Sequence, residues 1–89
     1  MLIALIAKDK AGHLETRKSN RDAHLAYIKE TGVVTQAGPL LGADAQMCGS
    51  LVVLDVADMA AAEAWAEQDP YAKAGLFETV ELIQWNKVI

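Results

Sequence analysis

The amino-acid sequence predicts an α+β fold in which helices lie on one face of an antiparallel sheet. Apolar runs typical of strands occur near the start, in the middle and near the end of the chain. Between them lie two stretches without glycine or proline that have helical character. With 89 residues, the chain is expected to form a single domain that spans residues 1–89.

The first half of the chain predicts a strand, a helix and a second strand. The opening run "MLIALIA" is apolar throughout, as in a strand buried on both faces. A helix is predicted from Thr16 to Glu30, where Gly32 follows at the position of a C-terminal cap. Either Thr16 or Ser19 is a candidate N-cap. The segment "VVTQAGPLL" then predicts a strand that bends at its Gly-Pro pair.

The second half repeats the order of a strand, a helix and a strand. The run "SLVVLDV" is again apolar, and Asp58 is a candidate cap for the helix "MAAAEAWAEQ". In the last strand, Val80 and Leu82 share one face, while Ile83 and Trp85 share the other. The complete order is that of the ferredoxin-like, or split βαβ, fold.

The strands carry more apolar surface than two helices on one face can cover. The first, third and last strands are apolar on both faces, and 53% of all residues are hydrophobic. A twin sheet would cover the second face, so we expect a homodimer packed sheet on sheet.

Charge and cysteine content exclude several classes of partner. The net charge of −4 disfavours nucleic acid and anionic membranes, which require a concentrated basic face. The apolar opening run is far shorter than the roughly 20 residues needed to span a bilayer. The single Cys48 cannot form an internal disulfide, which fits a reducing compartment, and we expect a cytoplasmic protein.

Three side chains of the first helix are spaced to share one face. Arg17, Arg21 and His24 follow one another at intervals of four and three residues. They are candidates for the rim of a pocket, where the arginines would hold an anionic or phenolic ligand. The alternative is a half-buried helix histidine beside two solvated arginines.

Asp69 precedes Pro70, and this pair is the usual opening of a helix. A helix cap alone would therefore explain the carboxylate. The alternative is that Asp69 is also the acid–base partner of His24, because a chain that turns back after the second helix would bring the two side chains together. The sequence leaves both alternatives open.

Three further residues are candidates for the wall of the same pocket. Gly38 and Pro39 set a backbone bend, and Tyr71 could bring its hydroxyl group to a ligand, although a packed aromatic ring is the simpler alternative. No metal-ligand spacing or glycine-rich phosphate loop is present, so neither a metal nor a cofactor is expected.

The ordered segments "RDAHLAYIKETG", "TQAGPLL" and "AEAWAEQDPYAKAGLFETVEL" resemble the YciI-like (YCII-related) protein family over nearly the whole chain. The resemblance implies a dimeric α+β barrel, related in shape to muconolactone isomerases and small monooxygenases. It also implies a paired histidine and aspartate in the active site, which correspond here to His24 of "AHL" and Asp69 of "DPY". Dehydrochlorination of a chlorinated hydroxyquinone is a chemistry associated with one member of the family.

The predicted function is therefore a small cofactor-independent enzyme of lyase or isomerase type. His24 would act as general acid or base and Asp69 would orient it, on a small organic, phenolic or quinone-like substrate. One alternative is a dimer that binds a small molecule without converting it. Another is haem-dependent oxidation with His24 as axial ligand, which a Soret band would reveal.

Overall fold

The computed structural model describes residues 1–89 and has the predicted order of elements. The elements are β1 (Leu2–Asp9), α1 (Leu14–Ser19), α2 (Arg21–Thr31), β2 (Val34–Leu41), β3 (Met47–Asp55), α3 (Met59–Gln68), α4 (Pro70–Lys73) and β4 (Phe77–Trp85). The four strands form one antiparallel sheet in the order β2-β3-β1-β4. This arrangement confirms the ferredoxin-like α+β fold. None of the helices has the length and apolar character needed to cross a membrane.

One face of the sheet packs against the helices and forms the core. Alternate residues of β1 lie on this face and are fully buried, namely Ile3, Leu5 and Ala7. They pack with Val52 and Leu54 of β3 and with Ala62 and Trp65 of α3. The period of two along β1 follows from strand geometry, in which successive side chains point to opposite faces.

The other face of the sheet carries large apolar side chains that remain accessible in the single chain. Leu51 is 41% exposed, Ile83 is 46% exposed and Trp85 is 39% exposed. Ile83 pairs with Ala4, whereas Leu82 pairs with the buried Leu5 and packs against the core. The register thus assigns Ile83 and Trp85 to the open face, a choice that the alternating pattern of β4 could not make.

The prediction of one continuous helix from Thr16 to Glu30 is wrong, because this segment is divided into α1 and α2 at Asn20. The backbone of Asn20 has φ −107° and ψ 4°, outside the helical range, and its side-chain amide donates to the carbonyl of Thr16 at 2.9 Å. The N-caps are His13 and Asn20 rather than Thr16 or Ser19.

The predicted end of this segment is confirmed. Gly32 follows α2 in the left-handed conformation, with φ 67°, and its amide donates to the carbonyl of Ile28. The division at Asn20 places Arg17 on α1, while Arg21 and His24 lie at the start of α2.

Candidate active site

A buried hydrogen bond joins His24 to Asp69. The Nδ1 atom of the imidazole lies 2.7 Å from Oδ1 of the carboxylate, and the two residues are only 6% and 1% exposed. His24 lies in the first turn of α2, and Asp69 lies between α3 and α4. The return of the chain at the end of α3 therefore brings together two side chains that are 45 residues apart.

Asp69 also caps α4. The same Oδ1 atom accepts a hydrogen bond from the amide of Tyr71 at 3.0 Å, and Pro70 occupies the first helical position. The second oxygen, Oδ2, is buried and has no hydrogen-bond partner. The cap and the contact with the imidazole are thus both present, and one oxygen atom makes them.

The ring of Tyr71 stacks on the imidazole of His24. The two centroids are 3.9 Å apart and the planes are inclined by 16°, while Phe77 contacts Tyr71 edge-on. Burial raises the pKa of the Tyr71 phenol, and the Asp69 carboxylate adds to this rise, although Arg17 and Arg21 act to lower it. The phenol therefore keeps its proton at neutral pH.

Arg17 is buried and held by two partners beside the same ring. Its guanidinium donates to both carboxylate oxygens of Asp9, at 2.7 and 2.9 Å, and to the hydroxyl of Ser50 at 2.8 Å. The guanidinium carbon lies 4.7 Å from the centroid of the Tyr71 ring. Burial acts to lower the pKa of Arg17, but the Asp9 carboxylate and, after it, Tyr71 together outweigh burial, and the net shift is upward.

These side chains border a cavity of about 190 Å³ between the helices and the sheet. Its lining is formed by Arg17, Arg21, His24, Leu25, Ile28, Ala37, Gly38, Pro39, Met47, Ser50, Val52 and Tyr71. The Nε2 atom of His24 has no hydrogen-bond partner in the protein and remains accessible to solvent. The imidazole therefore presents a free nitrogen to the cavity while its other nitrogen is held.

The structure places all seven candidate residues at one location. Six line the cavity, namely Arg17, Arg21, His24, Gly38, Pro39 and Tyr71, and Asp69 lies behind the imidazole. The alternative of two solvated arginines holds for Arg21, which is exposed, and fails for Arg17, which is 2% exposed.

Sequence analysis missed Asp9 and Ser50, the two partners of Arg17. Asp9 follows the apolar opening run, and it is the last residue of β1 with a side chain that is 7% exposed. Ser50 is 3% exposed within an otherwise apolar strand. A serine beside the apolar run of such a strand is the only signal in the sequence that could have pointed to either residue. His13 instead bonds to the carbonyl of Ala11 in an exposed loop.

No group of three or more histidine, cysteine, aspartate or glutamate side chains is arranged to hold a metal ion. The fold and the site together define a small ferredoxin-like protein in which an imidazole held by a carboxylate borders a cavity of mixed apolar and basic lining. The chain belongs to the YCII-related domain family, whose model matches residues 1–86.

Comparisons with individual proteins agree with this assignment. The chain is 39% identical to protein YciI of Escherichia coli O6:H1 over an alignment of 97 residues that covers 99% of each chain. It is 34% identical to 5-chloro-2-hydroxyhydroquinone dehydrochlorinase (TftG) from Burkholderia phenoliruptrix, solved in complex with 2,5-dihydroxybenzoquinone. That match has a TM-score of 0.89 and covers 97% of this chain and 94% of the other. PA3566 from Pseudomonas aeruginosa shares the fold alone, at 14% identity, with a TM-score of 0.61 and coverage of 99% and 93%.

Proposed function

We propose that this protein is a cofactor-independent enzyme of lyase type that acts on a small phenolic or quinone-like molecule. The observation that carries the proposal is the buried pair of His24 and Asp69 at the cavity. The similarity to the dehydrochlorinase from Burkholderia phenoliruptrix supports it, because that protein acts on a small hydroxylated ring.

His24 is the general base and then the general acid in this proposal. Nδ1–H of the neutral imidazole donates a hydrogen bond to the Asp69 carboxylate, so the lone pair is on Nε2 and faces the cavity. When Nε2 takes a proton from the substrate, the negative charge of Asp69 stabilises the imidazolium that forms. Acid–base assistance of this kind contributes roughly 10²–10⁴-fold in rate.

Loss of hydrogen chloride from a chlorinated hydroxyhydroquinone is a reaction that this pair can catalyse. Nε2 first removes a hydroxyl proton and returns it to the ring carbon that carries chlorine, which becomes tetrahedral. Chloride then leaves that carbon with the bonding electron pair while a second hydroxyl group loses its proton. The products are a hydroxyquinone, a proton and chloride, so the reaction balances without an external oxidant.

The test is to incubate the purified protein anaerobically with 5-chloro-2-hydroxyhydroquinone and to follow chloride release together with quinone absorbance. We expect His24→Ala to lower the catalysed rate by about 10²–10⁴-fold. His13→Ala is the matched control, because His13 is the other histidine of the chain and does not line the cavity. Binding of the ring without chloride release, or equal rates for the two variants, would contradict the proposal.

We also propose that the protein acts as a homodimer in which the open faces of two sheets pack together. The support is the set of large apolar side chains on that face, which the helices of the same chain leave uncovered. A chain of 9.6 kDa has a small core of its own, and burial of this second face would add to its stability.

A further inference from the structure

The cavity is lined by basic and neutral residues, in a protein that is acidic overall. Among its 12 lining residues are two arginines and no aspartate or glutamate, whereas the whole chain has a net charge of −4. The carboxylate of Asp69 contacts the far side of the His24 imidazole and does not line the cavity. The local charge of the cavity wall therefore depends on whether each of the two arginines is paired with an anionic side chain.

The charge of Arg17 is neutralised inside the protein. Asp9 accepts two hydrogen bonds from the guanidinium at 2.7 and 2.9 Å, and both side chains are almost fully buried. An ion pair of this geometry presents little net charge across the cavity, because the adjacent carboxylate offsets the field of the cation beyond the short distance that separates the two charges.

The charge of Arg21 has no such partner. Arg21 is the first residue of α2, it is exposed, and it makes no ion pair or side-chain hydrogen bond within the protein. Arg21 lines the cavity together with Tyr71, and its cation, like that of Arg17, acts to lower the pKa of the Tyr71 phenol against the larger upward effect of burial. Ser50 adds a donor, because its oxygen accepts from Arg17 and its own proton remains available.

We infer that this cavity selects anionic ligands and that Arg21 is the residue that determines this specificity. The inference concerns the ligand class of the cavity used in the proposed function, and it does not require turnover. A guanidinium without a partner can donate two parallel hydrogen bonds to the delocalised oxygens of a carboxylate or of an ionised hydroxyquinone. The apolar residues Leu25, Ile28 and Val52 then contact the ring that carries those oxygens.

Binding of two matched pairs of probes, measured by titration calorimetry, tests the inference. 2,5-Dihydroxybenzoquinone ionises readily because its charge spreads onto the carbonyl oxygens, whereas 2,5-dimethoxybenzoquinone has the same ring and no acidic proton. Benzoate and benzamide form a second pair that differs in charge. We expect each anion to bind about tenfold more tightly than its neutral counterpart, as for one charge-assisted hydrogen bond. Added salt should reduce this preference.

Variants of Arg21 assign the preference to one side chain. Arg21→Gln should weaken binding of the anions about tenfold and leave the neutral probes unchanged, while Arg21→Lys should keep part of the preference. Lys29→Gln removes a positive charge elsewhere on α2 and is the matched control. Equal binding of charged and neutral probes, an unchanged preference in Arg21→Gln, or no binding of either anion at millimolar concentration would overturn the inference.

The same titrations separate this inference from the proposed function. His24→Ala should lower turnover by about 10²–10⁴-fold while the preference for anions persists, because Arg21 is intact in that variant. A preference for anions without any turnover in the wild type contradicts only the proposed enzyme. Turnover without a preference for anions contradicts only the role of Arg21.

Discussion

The imidazole of His24 and the phenol ring of Tyr71 lie almost parallel, with centroids 3.9 Å apart. The hydrogen bond to Asp69 holds Nδ1 at one edge of the imidazole. The flat contact with Tyr71 restrains the plane of the same ring, so the two contacts together hold the direction of Nε2. Because the amide of Tyr71 is bonded to the same oxygen of Asp69, one atom sets the position of both rings.

The stacking predicts that Tyr71→Phe and Tyr71→Leu have different effects. Phenylalanine keeps the aromatic face, so the imidazole should hold its orientation, whereas leucine removes a contact worth about 0.5–1.5 kcal/mol beyond simple burial. Proton NMR of the His24 ring measures this, because a stacked ring shifts its signals upfield. We expect the shift to persist in Tyr71→Phe and to disappear in Tyr71→Leu. Equal spectra of the two variants would show that the stack does not orient the imidazole.

The raised pKa of Tyr71 predicts loss of stability at alkaline pH. The folded protein holds the phenol proton more tightly than the unfolded chain, so this contribution is complete below about pH 10, the ordinary tyrosine pKa. It is lost as pH rises through the higher pKa of the folded state. Urea unfolding of wild type and Tyr71→Phe across this range measures the effect. The unfolding free energy should decline less at alkaline pH in the variant than in wild type. Some decline should remain, because burial and then the Asp69 charge also raise the pKa of Tyr27.

The two arginines of the cavity should differ in their effect on stability. Arg17→Met leaves the Asp9 carboxylate buried without its partner, which costs about 3–5 kcal/mol of unfolding free energy. The double variant Asp9→Leu and Arg17→Met should recover much of that loss, since no unpaired charge remains. Arg21→Met is the matched control and should stay within about 0.5 kcal/mol of wild type, because Arg21 is exposed and unpaired. Equal losses for Arg17→Met and Arg21→Met in urea unfolding would be inconsistent with a structural role for Arg17.

The order of elements was accessible from the sequence, because it depends on patterns within single elements, whereas the contact of His24 with Asp69 joins two separate elements and stayed one of two open alternatives. Apolar runs located the strands, and the Asp-Pro pair located the turn at Asp69. The partners of Arg17 were not accessible in this way. Asp9 and Ser50 meet it only because β1 and β3 pair in the register that places Ala7 opposite Ser50.

The division of the first helix at Asn20 could not be predicted from the sequence patterns either, because its cause is a local side-chain hydrogen bond. Neither glycine nor proline marks the position, and asparagine is only mildly unfavourable within a helix. The side chain of Asn20 instead bonds the carbonyl of Thr16 and closes α1. This competition between side chain and backbone is decided by geometry that a periodic pattern does not contain.

The open face of the sheet predicts that one lysine can separate a dimer. Ile83→Lys places a charge among the exposed apolar residues of that face, where burial against a second copy would be costly. Sedimentation should then show a species of lower mass that is still folded by circular dichroism. Gln84→Lys is the matched control, because Gln84 is also exposed but lies on the opposite face of β4. An unchanged sedimentation coefficient in Ile83→Lys would contradict packing through this face.

The two roles of Asp69 make different demands on its side chain. The helix cap needs an acceptor oxygen, and so does the hydrogen bond that keeps the His24 proton on Nδ1. Asparagine supplies this oxygen nearly as well as aspartate. Stabilisation of an imidazolium needs the negative charge as well. Asp69→Asn therefore separates the structural role from the electrostatic one, whereas Asp69→Ala removes both.

Asp69→Asn should keep the His24 ring in the form with its proton on Nδ1, because Oδ1 remains in place to accept from it. Its catalysed rate on 5-chloro-2-hydroxyhydroquinone should nevertheless fall, by up to about 10²–10⁴-fold, since the charge is gone. Asp69→Ala should in addition lose the cap of α4, worth about 1 kcal/mol, and leave a buried imidazole N–H unpaired at a cost of about 1–3 kcal/mol.

Nitrogen-15 NMR of His24 reports the tautomer, urea unfolding reports stability, and chloride release reports the rate. Asp58→Asn is the control for capping alone, because Asp58 caps α3 through the amide of Ala61 and lies outside the cavity lining. If Asp69→Asn matches wild type in rate while its tautomer is preserved, the carboxylate acts on His24 only as a hydrogen-bond acceptor. The charge of Asp69 would then have no part in the chemistry, and its role would reduce to the cap and the orientation of the ring.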